Sequence, residues 1–313
     1  MRLVRHLVDL PYGDLARGSV VTIGAYDGLH LGHAQLLQRV IKEARSKNLP
    51  AIVMSFEPTP KEFFAAKSPP ARLMRFREKY EALADYGVDI FYCPRFDVAM
   101  RSISADAFIR QILVHGLNAR HIVVGDDFRF ASKREGTIGH LLRSSSALQL
   151  SIDQVSSVIV NGTRVSSTEI RGSLAKGDLE RATALLGRPY RMSGKVVKGR
   201  RVGRSLGYAT ANVDIRRRQS AVLGIFAVRV HGLRQGPVDG VASVGTRPTF
   251  DLHKPVLEAH LFDFDTEIYG EYIHVDFLVR LRDVEKFASA EELVAQMDID
   301  AENARSALAA YAG

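Results

Sequence analysis

Cysteine is nearly absent from this 313-residue chain: Cys93 is the only one. That excludes an internal disulfide, a cysteine-based zinc site and an iron–sulfur cluster. No apolar run approaches the roughly 18 residues that span a bilayer, and Met1-Arg2-Leu3-Val4-Arg5-His6 leads into no signal-peptide core. Internal repeats and low-complexity tracts are also missing. These absences lead to the expectation of a soluble protein of a reducing compartment, the cytoplasm, with no membrane partner.

The chain carries 46% hydrophobic and 25% charged residues, an ordinary globular balance. At about 100–200 residues per domain, its length suits two domains. Lys and Arg number 43 against 35 Asp and Glu, a net +8 that suits polyanionic ligands, meaning nucleotides or nucleic acid, without selecting either.

The first part alternates strands with helices. Val20-Val21-Thr22-Ile23-Gly24 reads as a buried strand, and a helix over about 30–45 carries Leu36, Leu37, Val40, Ile41 and Ala44 on one face. Further strands are expected at 51–56, 88–93 and 121–125, with helices at 75–86 and 104–115. This is the pattern of a doubly wound parallel sheet, whose ligands sit beyond the carboxyl ends of its strands. After Arg188-Pro189 the pattern becomes period 2. It is clear in 224–230, in Leu257, Ala259 and Leu261, and in 273–281, whose odd positions are all apolar. Short strands between Gly, Pro and Asp turns predict an antiparallel β-barrel, closed by a helix over 289–311. The expected domains are 1–187 and 188–313.

The sharpest local signal is Gly24-Ala25-Tyr26-Asp27-Gly28-Leu29-His30-Leu31-Gly32-His33, which joins a strand to a helix. His30 and His33, three apart, fall on one side of the first turn, where unpaired N–H groups and the helix dipole already favour an anion. Two imidazoles beside a triphosphate can donate to charge developing on the α-phosphate and on pyrophosphate. An isolated histidine here would be a surface or capping residue, and zinc lacks further ligands at suitable spacing. A second signal is Arg164-Val165-Ser166-Ser167-Thr168-Glu169-Ile170-Arg171, hydroxyls ahead of a helix flanked by two arginines. Alone it is a capped helix; with the histidine turn it makes the second half of a triphosphate clamp.

With Phe56-Glu57-Pro58-Thr59-Pro60, Val124-Gly125-Asp126-Asp127-Phe128, Gly203-Arg204-Ser205-Leu206-Gly207, Ala209-Thr210-Ala211-Asn212 and Leu257-Glu258-Ala259-His260, these motifs follow one another in order along the chain. Together they resemble the nucleotidyltransferase superfamily and, more narrowly, the prokaryotic bifunctional riboflavin kinase/FMN adenylyltransferases (FAD synthetases). The resemblance implies two ATP-dependent steps, riboflavin to FMN and FMN to FAD, with Mg²⁺ and no nucleic-acid partner. It makes His30 and His33 ligands of the ATP phosphates, within a loop whose Gly24, Tyr26, Asp27 and Gly28 face the nucleotide. Asp127, Arg164, Ser167, Thr168 and Arg171 are implied near the phosphates and ribose. Pro60, Phe64 and Phe130 are implied around the flavin, a planar ring that needs apolar and aromatic walls.

In the second half the resemblance implies Thr210 and Asn212 as holders of Mg²⁺ and phosphate, Gly203 and Gly207 in a flap over the phosphates, and Glu258 as the base for the ribityl hydroxyl. Two departures stand out. Ala209 replaces the family's proline, and Ala131-Ser132 replaces an expected Gly-basic pair. Rival readings are an adenylyltransferase for another phosphorylated acceptor, a flavin- or nucleotide-binding regulator, and a basic RNA-binding protein. The last would lean on Arg216-Arg217-Arg218, which reads as a solvated loop with no aromatic-interleaved RNA motif beside it.

Overall fold

The computed structural model describes residues 1–199, 208–248 and 253–311. Packing divides the chain into two units, residues 1–70 with 74–165, and residues 71–73 with the chain from Ser166 onward.

The first unit is built on six parallel strands: β1 (Arg2–Val4), β2 (Ser19–Ile23), β3 (Ala51–Met54), β4 (Ile90–Tyr92), β5 (Ala119–Gly125) and β6 (Ser151–Val155), in the order β1-β4-β3-β2-β5-β6. The order grows in one direction from β2 through β3 and β4, and in the other through β5 and β6. The switch point therefore lies between β2 and β5, and the crevice at their carboxyl ends is where such sheets take ligands. Alternation within each strand separates the two faces. Val21, Ile23, Ile52, Met54, Ile122 and Val124 join a core on one face with Phe108, Leu113 and Leu141. Val20, Val53 and Val123 face the other side. There they meet the apolar stripes of α1 (Leu31–Lys47) and α3 (Phe76–Asp85), contributed by Leu37, Val40 and Leu83. A short α2 (Pro60–Phe64) follows β3, and α4 (Ile138–Leu148) precedes β6. The doubly wound sheet expected from the sequence is present.

The second unit holds α5 (Ser167–Ala175), α6 (Leu179–Leu186), a six-stranded barrel and α7 (Ala290–Ala310). The barrel strands are β7 (Tyr190–Val197), β8 (Thr210–Asp214), β9 (Gly224–His231), β10 (Val238–Pro248), β11 (His253–Leu261) and β12 (Tyr272–Arg282). They close antiparallel in the order β7-β8-β11-β10-β9-β12. The sequence boundary near 187 falls after α6, which packs on β7 and β12 within this unit. Met192, Val213, Phe226, Val228, Val244, Leu257 and Ile273 are buried, while Ala227, Phe262 and Leu278 pack with Ala304 and Leu308 of α7.

The period-2 run on β12 breaks with no local signal in its residues. Val228 pairs with Phe277 but Ala227 pairs with Val279, so Leu278 is an extra residue in the ladder. Ile273, Val275 and Phe277 are fully buried, whereas Val279 and Leu281 turn to the cluster under α7. Arg217 is a second correction. It is only 4% exposed, and its guanidinium donates to the carbonyls of Arg72 and Leu73, which explains why segment 71–73 packs with this unit. The triple arginine is not a uniformly solvated loop.

Candidate active sites

In the first unit, β2 ends at Ile23 and the loop 24–30 turns the chain into α1 at the switch point. The loop is tightly bent: Tyr26, Gly28 and Leu29 have φ of 49°, 90° and 42°. Left-handed backbone at non-glycine residues persists only where its surroundings over-determine it, and here they do. Tyr26 is fully buried, its hydroxyl 2.6 Å from that of Thr22, and burial pushes its phenol pKa up. Asp27 is buried, and its carboxylate accepts the Met74 N–H at 2.9 Å. The Ala25 carbonyl accepts from Lys79 Nζ at 2.6 Å and from Ser55 Oγ at 3.2 Å.

The two histidines come together as the spacing predicts. His30 is the N-cap of α1, its Nδ1 accepting the His33 N–H at 3.3 Å, which puts the proton of a neutral ring on Nε2. The residue that the resemblance assigns to the phosphates is thus also the cap of the helix. The rings stack with centroids 3.7 Å apart and 18° from parallel, and the His33 ring also leans on Tyr26 at 4.9 Å. His33 Nδ1 is buried without a hydrogen-bond partner. Burial first, then the His30 and Lys79 charges, hold His33 well below the ordinary histidine pKa, which favours the neutral ring.

The neighbouring strand β5 ends at Gly125, and Asp127 follows with its side chain 67% exposed. Arg164 reaches Asp127 at 2.7 Å and Asp126 at 3.5 Å, and donates to Ser157 Oγ at 2.8 Å. Ser157 donates in turn to Asp126, which with the Arg164 charge keeps that carboxyl below its usual range. In the second unit the cap of α5 is Ser166, which accepts from Glu169 N–H at 3.2 Å. Ser167 and Thr168 therefore open the helix rather than cap it. The Arg171 guanidinium donates to the carbonyls of Ala71, at 2.6 Å, and Ser167, at 3.0 Å.

Of the implied flavin residues, Pro60 opens α2 inside a Thr59–Glu62 capping box and Phe64 is 65% exposed. Phe64 belongs to an aromatic group with Phe63, Phe96 and Phe56. Sequence reasoning missed Phe96, although it follows the carboxyl end of β4 as the strand-end rule would suggest. Phe130 is packed in the core, 6% exposed, and stacks on the more open Phe128 at 5.4 Å. Lys79 was missed as well. Its place between Phe76 and Leu83 on the apolar stripe of α3 was the available signal.

In the barrel, β8 alternates, with Ala211 and Val213 buried and Thr210 and Asn212 on the other side. Register places Asn212 directly across from Glu258, which also faces Ser243 of β10. A cavity of about 290 Å³ is lined by Gly199, Thr210, Asn212, Leu261, Asp265 and Glu267 among others. Glu258 stands beside Asn212 on the adjacent strand rather than in that lining. The backbone of Gly199 lies so close to Asn212 that a Cβ there would sit 2.3 Å from the amide nitrogen. The Ala209 carbonyl, where the family has proline, accepts from His260 Nδ1 at 2.9 Å, so a side chain holds the backbone that a pyrrolidine ring would have fixed. Gly203 and Gly207 lie outside the described residues.

A strand–turn–helix phosphate cradle on a doubly wound sheet, followed by an antiparallel barrel with polar groups around a cavity, defines a two-domain nucleotide-using transferase. The FAD synthetase family model matches residues 14–169 and the riboflavin kinase model residues 186–308. The bifunctional riboflavin kinase/FMN adenylyltransferase of Escherichia coli K12 is 43% identical over 97% of both chains, and that of Haemophilus influenzae 39% over 98% of this chain and 99% of its own. A crystal structure described as a macrolide-efflux protein from Streptococcus pneumoniae superposes with a TM-score of 0.81 at 31% identity, covering 97% of this chain and 98% of that one. The chain belongs to the bifunctional riboflavin kinase/FMN adenylyltransferase family. Among the described residues no helix is long and apolar enough to cross a membrane.

Proposed function

We propose that the chain makes FMN from riboflavin and FAD from FMN, one step in each half of the sequence, 188–313 and 1–187, in the cytoplasm. The observation that carries this reading is that the two candidate catalytic groups belong to separate packing units, the His30–His33 pair to the first and Glu258 to the second. In the barrel, the riboflavin 5′-hydroxyl attacks the γ-phosphorus of ATP; a new O–P bond forms, the bridging O–P bond breaks and ADP leaves. Glu258 orients the hydroxyl and accepts its proton. The Thr210 hydroxyl and Asn212 amide oxygen are hard donors beside a cavity, a set that fits Mg²⁺ completed by phosphate and water. Bound there, the ion would neutralise phosphate charge.

In the sheet domain, an FMN phosphate oxygen attacks the α-phosphorus of a second ATP and pyrophosphate departs. No covalent enzyme intermediate is needed. His30 and the N-terminus of α1 hold the phosphates, and His33 donates to the developing charge. The exposed Phe64 and its aromatic neighbours offer a wall for the isoalloxazine. Glu258→Gln should abolish FMN formation from riboflavin while FAD formation from supplied FMN continues, as read by mass analysis of products. Continued riboflavin phosphorylation by that variant would remove Glu258 from the chemistry.

A further inference from the structure

We propose that Lys79 is a positioning residue of the adenylyl-transfer step, its buried ammonium fixing the Ala25 carbonyl and thereby the bend from which the loop presents Tyr26, His30 and His33. The inference rests on the His30–His33 reading above and goes beyond it. Lys79 lies on α3, far in sequence from the phosphate loop, and is only 3% exposed. An ammonium buried to that degree needs strong compensation. The Lys79 ammonium donates to the Ala25 carbonyl, one residue before the left-handed Tyr26, at 2.6 Å. Ser55, at the end of β3, donates to the same oxygen, and Asp27, two residues on, is held by the backbone just ahead of α3. The loop is thus tied to α3 by the Lys79 ammonium and to the segment just ahead of it by the Asp27 carboxylate.

That charge has a second effect. The His33 ring stacks on His30 at the helix cap and leans on the Tyr26 ring in the loop, and the Lys79 charge on α3 acts on it as well. Burial first and the His30 charge second disfavour a proton on His33, and the Lys79 cation adds to them.

The test uses the full chain with Lys79→Met, Lys79→Arg and Ser55→Ala. FAD formation from FMN, riboflavin phosphorylation, and the ring titration of His33 by NMR on histidine-labelled protein are measured for each. Lys79→Met should lose about 10²-fold in FAD formation, the scale that follows a misplacement of about 1 Å, with riboflavin phosphorylation unchanged. Its His33 should titrate at higher pH than in the parent chain. Lys79→Arg, which keeps the charge and a donor, should recover most of the activity and the low titration. Ser55→Ala should lose less than Lys79→Met and leave the His33 titration in place, so the loop tie is read even if Lys79→Met folds poorly. An unchanged His33 titration in Lys79→Met, or no rescue by arginine, overturns the proposal. Full FAD formation by His33→Ala would instead remove the underlying site reading, whatever Lys79 does.

Discussion

Ala131→Gly should stabilise the protein, and the size of the gain follows from the backbone. Ala131 has φ 63° and ψ −171°, a region populated almost solely by glycine. A side chain held there costs about 1–3 kcal/mol. The conformation cannot relax easily, because the Ser132 N–H is bonded to the Ile103 carbonyl at 2.8 Å and the Arg134 N–H to the Ala131 carbonyl at 3.2 Å. Replacing alanine by glycine removes the steric cost but loosens the unfolded chain, which costs about 0.4–1 kcal/mol. The net gain is about 1 kcal/mol, equivalent to a rise of about 2–4 °C in the Tm of a unit of this size. Urea unfolding followed by circular dichroism checks it. A higher midpoint at unchanged slope is expected, whereas a lower midpoint for Ala131→Gly would refute the claim of stored strain. The family resemblance calls for glycine at this position, and the backbone here still has the form glycine takes.

Two further outcomes follow from close contacts and buried rings. Gly199→Ala would drive a Cβ into the Asn212 amide, so riboflavin phosphorylation should fall on the order of 10-fold or more while FAD formation from FMN is spared; wild-type kinase rates would mean Asn212 can move without cost. His121 is buried with both ring nitrogens unpartnered, and burial lowers its pKa from 6.5 despite the nearby Glu43 and Asp153 carboxylates, with Lys47 and Arg39 adding to the shift. The unfolded chain therefore takes up this proton first as pH falls through 6.5, and stability drops with it. His121→Leu should flatten the loss of urea stability between about pH 7.5 and about pH 5.5. His33, shifted the same way, leaves a residual slope; identical slopes in the variant and parent would exclude His121 as a source.

What was legible in the sequence was whatever a local period or a special residue encodes. The strand–glycine–histidine–helix turn needs no distant partner to be recognised, and β9, β11 and α7 stand where alternation and capping put them. What stayed hidden was set by contacts between segments far apart. The three-residue β1 pairs with β4 at the sheet edge and is too short to show a period. The bulge at Leu278 is a register event between two strands, invisible in a run whose odd positions all read apolar. Arg217 reads as part of a solvated charge run until the carbonyls of Arg72 and Leu73 appear beside it. Phe130 reads as a flavin wall, yet its neighbours Phe108 and Phe128 make it core. Lys79 looks like one more helix lysine unless its place on the apolar stripe is weighed.

The claim on which the account turns is that the two phosphate chemistries belong to different residues on different units. The most direct measurement gives the His30→Ala/His33→Ala double variant riboflavin, ATP and Mg²⁺ and identifies the products by mass. FMN should accumulate at the parent rate with no FAD formed. Loss of FMN together with FAD, or continued synthesis of FAD, would contradict it.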